Sequence, residues 1–480
     1  MEFGSLAFVG LSLTAVALLR LLQSRTQREV ALLAVNIIFV ASFARTAREL
    51  YPTICFLAFG YLAICAVAWR ARLLGILIAA VVGMFIWLRH YTIVSSLPQL
   101  SFLYSTVGLS YVLFRIMHLM IDVSQKETAT PSLLRYINYA TFFLTFVSGP
   151  IQRWQDHDAQ MQSPPVEASN FALERGLGRV ALGYVYLILF DRLAVREDSF
   201  FYEHFNPHLT AHFWLPAAPY LAATASLFLL HLYLNFAGYM HVVIGIGVLA
   251  GLRLPENFNS PFRTANFVDL WSRWHITLSQ WFKFYLFNPL LKAMGRRWGD
   301  TVPMAYLGAI CFFMTFAVMG IWHGTTGYFL VFGLLLGLGV SVNRLWQIVA
   351  AKQLGRDKYR LLCERTIYAD ASRSAAIAFF SMSLICFWLD DSTARTLLSP
   401  MGVICCVLGF VIVMAAGIVI ITGERALMRT LQPFFARWID RHDLQADVLR
   451  ARWIAIAVWA VVLLTFIRNG AAPDFVYQGF

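Results

Sequence analysis

Apolar stretches separated by short polar punctuation recur along the whole 480-residue chain. They fall at about residues 3–22, 30–44, 51–69, 73–88, 101–121, 134–151, 176–192, 212–234, 236–252, 304–322, 328–349, 374–389, 401–421 and 453–468. A helix needs roughly 20 mostly apolar residues to cross the hydrocarbon core of a bilayer, and several of these runs are shorter. The pattern predicts an all-α polytopic membrane protein of about eleven spans, with the remaining runs as re-entrant or interfacial helices. No internal repeat or low-complexity linker divides the chain, so residues 1–480 read as one membrane domain. The run at 3–22 lacks a positively charged start and a small-residue cleavage site, and reads as a first membrane helix.

Polar segments between the runs give a topology. Residues 352–373 carry Lys352, Arg356, Lys358, Arg360, Arg365 and Arg373 against three acids, which places them in the cytoplasm. Asp390 and Asp391 then face outside, the arginine-rich segment 423–452 returns to the cytoplasm, and residues 469–480 form an extracytoplasmic tail. Composition agrees with this picture. Charged residues make up 13% of the chain and hydrophobic ones 59%, where a soluble domain carries roughly a quarter charged. The net charge of +12 sits at the ends of apolar runs, as topology determinants do, so nucleic acid is not the expected partner.

Residues 255–300 differ in kind, mixing tryptophans, basic residues and a histidine at helical spacing without a clean apolar face. That is the pattern of a helix at the interface or lining a polar cavity. Arg273, Lys283, Lys292, Arg296 and Arg297 point to its cytoplasmic side.

Ionisable groups inside membrane segments are costly, and therefore suggest function. His323, at the end of an apolar run in MGIWHGTTGYF, has the chemistry of a general base, since an imidazole can take the proton of an attacking hydroxyl. The same residue would also serve as a packing histidine bonded between helices. His275, in WSRWHITLSQWF, would position substrate or polarise an acyl carbonyl, or simply sit in an aromatic belt. His204, His208 and His212 lack an acidic or cysteine partner, and no C-x-x-C pair occurs, so no metal site is expected. Tyr477 lies in the predicted outer tail, where a phenolic oxygen could carry an acyl group as a covalent relay.

Several of these segments together resemble the membrane-bound O-acyltransferases (MBOATs). The resemblance is to the bacterial subgroup holding the alginate O-acetyltransferase and teichoic-acid D-alanyltransferase membrane subunits. It is carried by NFAGYMHVVIGIGVLAGLRLPENFNSPFRTANFVDLWSRWHITLSQWF at 235–282, MGIWHG at 319–324 and FVSGPIQRW at 146–154. The terminal F-x-Y-x-x-F of Phe475, Tyr477 and Phe480 adds to it. The likeness covers about 100–480, which assigns 101–468 to the MBOAT core, 1–100 to peripheral helices and 469–480 to a tail. It implies helices around a central tunnel, with His323 as catalytic histidine, His275 as its support and Tyr477 as a possible acyl relay. Trp274, Arg273, Lys283, Asn257, Trp322 and Arg153 become the expected substrate- and donor-binding residues. Lys283–Phe284 stand where the family usually has an arginine followed by an acid.

The expected activity is transfer of an acyl group, acetyl first, from a cytoplasmic thioester toward hydroxyls of an exported polysaccharide. The donor would be acetyl-CoA or a phosphopantetheinyl carrier protein, with no permanently bound cofactor. An extracytoplasmic acyltransferase- or esterase-like partner is expected, and the location is a bacterial cytoplasmic (inner) membrane. Transfer of D-alanyl groups to a teichoic-acid-like acceptor is the alternative within this class. A transporter or flippase is the alternative outside it, although the chain lacks the repeat symmetry such proteins tend to carry.

Overall fold

The computed structural model describes residues 5–163, 169–193 and 214–439. Five helices open the chain: α1 (Leu6–Leu21), α2 (Arg25–Ala41), α3 (Tyr51–Trp69), α4 (Leu74–Leu88) and α5 (Leu109–Ser124). Two short helices follow, α6 (Leu133–Ala140) and α7 (Trp154–Gln162), then the long α8 (Asn170–Leu193) and α9 (Trp214–Leu249). A mainly non-helical stretch leads through α10 (Phe267–Leu270) to α11 (Ile276–Phe282). A π-helical turn, Lys283–Phe287, joins α11 to α12 (Asn288–Trp298). The chain then forms α13 (Met304–His323), α14 (Gly327–Leu354), α15 (Arg356–Glu364), α16 (Thr366–Ser383), α17 (Asp391–Leu398) and α18 (Pro400–Ile439).

The all-α polytopic architecture expected from the apolar pattern is present. Among the described residues seven helices are long and apolar enough to cross a bilayer, at 47–69, 71–88, 217–249, 304–323, 327–354, 366–387 and 400–432. The apolar run at 453–468 lies outside the described residues. The runs at 212–234 and 236–252 form one helix, α9, because the polar residue between them, Asn235, is buried in the protein. Helix α9 packs along α8 and α18, α13 along α14, and α16 along α18.

The run at 134–151 departs from a simple helix. After α6 the chain leaves helical geometry and passes through Phe142, Phe143, Leu144 and Phe146, all buried, to a cis Gly149–Pro150 bond. Backbone at membrane depth is tolerated outside a helix only where protein satisfies its polar groups. Arg115 of α5, buried to 2% exposure, supplies that need by donating to the carbonyls of Ala140 at 2.6 Å and Thr145 at 2.5 Å. The Tyr239 hydroxyl donates to Leu144 O, and Asn36 Oδ1 accepts from the Phe143 N–H. The apolar side chains here are buried in protein.

Candidate active site

His323 is the last helical residue of α13, and α14 restarts four residues later. The two helices approach closely at paired glycines: a Cβ added to Gly320 would lie 2.4 Å from Gly333 Cα. The turn after His323 is covered from the N-terminal part of the chain. Tyr91 OH donates to Ile321 O at 2.9 Å, while the Thr92 hydroxyl donates to Thr325 O at 3.1 Å. Placed at a helix end, His323 is nonetheless buried, at 8% exposure. Its ring meets Trp322, Phe332 and Phe387 at centroid distances of 4.8, 5.6 and 5.9 Å. Trp322 in turn packs at a tilt against Phe114 and edge-on to Tyr111. The order of small and aromatic residues in MGIWHG thus sets a close helix crossing and an aromatic surround.

His275 precedes α11 with φ 45° and ψ 52°, a left-handed conformation that costs a non-glycine residue on the order of 1–3 kcal/mol. Neighbouring bonds hold it there. Phe258 and Trp274 form an antiparallel bridge, with the Asn259 N–H donating to Arg273 O at 2.9 Å and the Ile276 N–H to Asn257 O at 3.0 Å. The His275 imidazole packs edge-on to Phe236, centroids 4.8 Å apart. Ile276, the next residue, lines the same cavity as Met319, one helical turn before His323. Two motifs 48 positions apart in sequence therefore bring their histidines into one buried site.

A cavity of about 300 Å³ adjoins this site. Ser272, Ile276, Ser279, Gln280 and Lys283 line one side and Phe312, Thr315, Phe316 and Met319 the other, with Trp271 and Val340 also in its wall. Met319 lies one helical turn before His323, and Ile276 directly follows His275. The walls are mostly apolar, yet Trp271 Nε1 and Ser279 Oγ are buried polar atoms with no hydrogen-bond partner among the described residues. Buried polar groups are normally satisfied, so these two mark where a polar ligand would be held.

The other expected site residues take distinct places. Lys283 lines the cavity. Arg273 pairs with Asp269 at 2.8 Å, and Trp274 is buried among Tyr233, Phe258 and Phe380. Asn257 has no exposure, and its side-chain oxygen is taken by Thr277. In this structure Trp274 and Asn257 hold the loop and are not among the cavity-lining residues. Arg153 is half-exposed, 3.9 Å from Asp122 and over the ring of Phe284. Tyr477, with His204, His208 and His212, lies outside the described residues.

Sequence reading missed Trp271, Ser279, Thr277 and a cluster of buried His118 and Asp122 with half-buried Tyr285. The cluster carried one visible signal: His118 and Asp122 stand four apart on a mainly apolar helix, and so share a face. Among the described residues no group of three or more His, Cys, Asp or Glu is gathered as a metal ion would require.

Fold and site together define a multi-pass α-helical membrane protein with two buried histidines beside a cavity in its helical core. Residues 64–363 match the membrane-bound O-acyltransferase family, and the chain belongs to that family. It is 30% identical over 250 residues to the probable alginate O-acetylase AlgI of Pseudomonas aeruginosa, covering 52% of this chain and 44% of that protein. It is 27% identical over 262 residues to the teichoic acid D-alanyltransferase of Streptococcus thermophilus, covering 52% and 60%. The peptidoglycan O-acetyltransferase of Helicobacter pylori is 31% identical over 231 residues, covering 46% and 40%. The chain thus spans about half the length of the curated relatives it matches. Family membership, rather than any feature of the helices, sets the transporter reading aside.

Proposed function

We propose that the protein is an O-acyltransferase of a bacterial cytoplasmic membrane that takes an acyl group from a cytoplasmic thioester and delivers it toward an extracytoplasmic hydroxyl. The observation that carries this reading is a cavity with Lys283 in its wall, lined also by Ile276 next to buried His275 and by Met319 one turn before buried His323. The donor, acetyl-CoA or a carrier-bound phosphopantetheinyl thioester, enters from the Lys283 side. Its acyl carbon comes to rest near Met319, one turn below His323.

His323 then removes the proton of the attacking hydroxyl as that oxygen bonds to the thioester carbonyl carbon. His275, neutral in its buried setting, orients the carbonyl. The tetrahedral intermediate collapses with cleavage of the C–S bond, and the proton passes from the imidazolium to the departing sulfur. An ester and a free thiol result, with no net proton change. An aromatic surround that excludes water favours transfer over hydrolysis.

The acceptor is an exported polysaccharide, with acetyl as the acyl group, and an extracytoplasmic partner enzyme completes delivery. Tyr477 of the extracytoplasmic tail serves as an intermediate acceptor. D-alanyl transfer to a teichoic-acid-like polymer remains the second reading. It is favoured by one observation: the match to a teichoic acid D-alanyltransferase covers as large a share of this chain, 52%, as the match to an alginate O-acetylase. The test is acyl transfer by membranes holding the full chain or His323→Ala, supplied with labelled acetyl-CoA and the host's surface polymer. Removing a general base lowers the rate by roughly 10²–10⁴-fold, so label should reach the polymer only with the unmodified chain. Equal labelling would end the catalytic role of His323. Chemical identification of the ester lost from the polymer on gene deletion separates acetyl from D-alanyl.

A further inference from the structure

The structure assigns Asn257 and Thr277 as positioning residues for His275. The assignment rests on the catalytic reading of the histidine pair. A helix begins with backbone N–H groups that have no partner inside it, and the usual remedy is a cap from the residue just before. That residue is His275, and its side chain makes no capping bond. Asn257, 18 positions earlier, performs the task from another segment. Its backbone carbonyl accepts from the Ile276 N–H at 3.0 Å, and its side-chain Oδ1 accepts from the Thr277 N–H at 3.0 Å.

Thr277 extends the same arrangement to a third segment. Its hydroxyl donates to Asn257 Oδ1 at 2.6 Å and accepts from the Ile151 N–H at 3.0 Å. Ile151 directly follows the Gly149–Pro150 turn and precedes Arg153 by two residues. The series Ile151 N–H to Thr277 O–H to Asn257 Oδ1 has a single possible direction, because an amide nitrogen only donates and a side-chain carbonyl only accepts. The Asn257 side-chain amide closes the set on Met240 Sδ at 3.2 Å. All of these groups are buried: Asn257 is 0% and Thr277 4% exposed. Together they brace the left-handed backbone of His275 on both sides, through the 257–259 bridge and through the 149–153 turn.

A braced histidine is a histidine at a fixed distance from the donor carbonyl, and misplacement of about 1 Å can cost on the order of 10²-fold in rate. Thr277→Val keeps the shape of the side chain and removes the hydroxyl. Thr277→Ser keeps the hydroxyl and removes a methyl. Purified full-length protein is assayed with acetyl-CoA as donor probe and host polymer as acceptor, and each variant is melted in detergent. Thr277→Val should lower kcat by about 10–100-fold, with the KM for acetyl-CoA changed by less than about twofold. Thr277→Ser should restore kcat to within about threefold of the unmodified chain.

Thr277→Ala serves the same purpose if the valine variant does not accumulate. An unchanged kcat in both hydroxyl-free variants would overturn the assignment. So would a serine variant as slow as valine, or a loss of kcat that merely follows a fall in melting temperature. His275→Ala, measured alongside, separates the two levels of the reading. If it is inactive while Thr277→Val is not, the positioning role alone fails; if it keeps full activity, the histidine reading fails with it.

Discussion

The Tyr285 hydroxyl oxygen lies 2.6 Å from Nδ1 of His118 and donates to Oδ1 of Asp122 at 3.1 Å. The opposite ring nitrogen of His118, Nε2, accepts from the Trp154 N–H at 3.1 Å. The neutral ring therefore carries its proton on Nδ1 and donates it to Tyr285. Gln155 Nε2 donates to the second carboxylate oxygen of Asp122 at 2.6 Å. One buried carboxylate thus ties α5, the start of α7 and the π-turn into a unit, and Tyr285 stands two residues beyond Lys283 at the cavity.

Replacing Tyr285 with phenylalanine removes a hydrogen bond to a buried charged group, a loss of about 1.5–3 kcal/mol. The melting temperature in detergent should fall, and the KM for acetyl-CoA should rise several-fold as the π-turn loosens around Lys283. Unchanged values of both would show that the network does not brace the cavity wall.

The α13–α14 crossing makes a second prediction. An alanine at Gly320 would place its Cβ 2.4 Å from both Gly333 Cα and Phe329 O, so the helices must separate. Overpacking of this kind costs typically about 1–3 kcal/mol. Because His323 is one turn further on, Gly320→Ala should lose most transfer activity even where protein accumulates. Gly308 on the same helix has nothing within 4 Å of an added Cβ, so Gly308→Ala should be neutral. Equal activity of the two variants would show that the crossing does not set the histidine.

The cavity makes a third. If Trp271 Nε1 and Ser279 Oγ hold acceptor atoms of the donor, Trp271→Phe and Ser279→Ala each remove one hydrogen bond, worth about 0.5–1.5 kcal/mol. The KM for acetyl-CoA should then rise by about two- to tenfold with kcat nearly unchanged. A fall in kcat at constant KM would move the cavity from donor binding to the chemical step.

The sequence by itself determined the class of the protein. Runs of apolar residues near bilayer length can only be helices in lipid, because each must satisfy its own backbone. His323 was legible for the same reason, since an ionisable group on such a run is expensive to keep. The short motifs around His275, Asn257 and Arg153 were legible as local strings of residue types. Their roles were not, because a string does not say where its polar atoms find partners.

Those partners were decided by the tertiary structure. The run at 134–151 looks like a span until Arg115, on another helix, is seen satisfying its carbonyls. The partnership of the Asn257 side-chain oxygen with Thr277, 20 positions on, is seen only in the folded chain. The loop before α11 and the end of α13, which carry His275 and His323, come to one cavity only in the folded chain. Hydropathy is a property of consecutive residues, so it can be read along the chain. Hydrogen-bond partnership and the meeting of distant side chains depend on which surfaces come together, and only the folded helices bring them there.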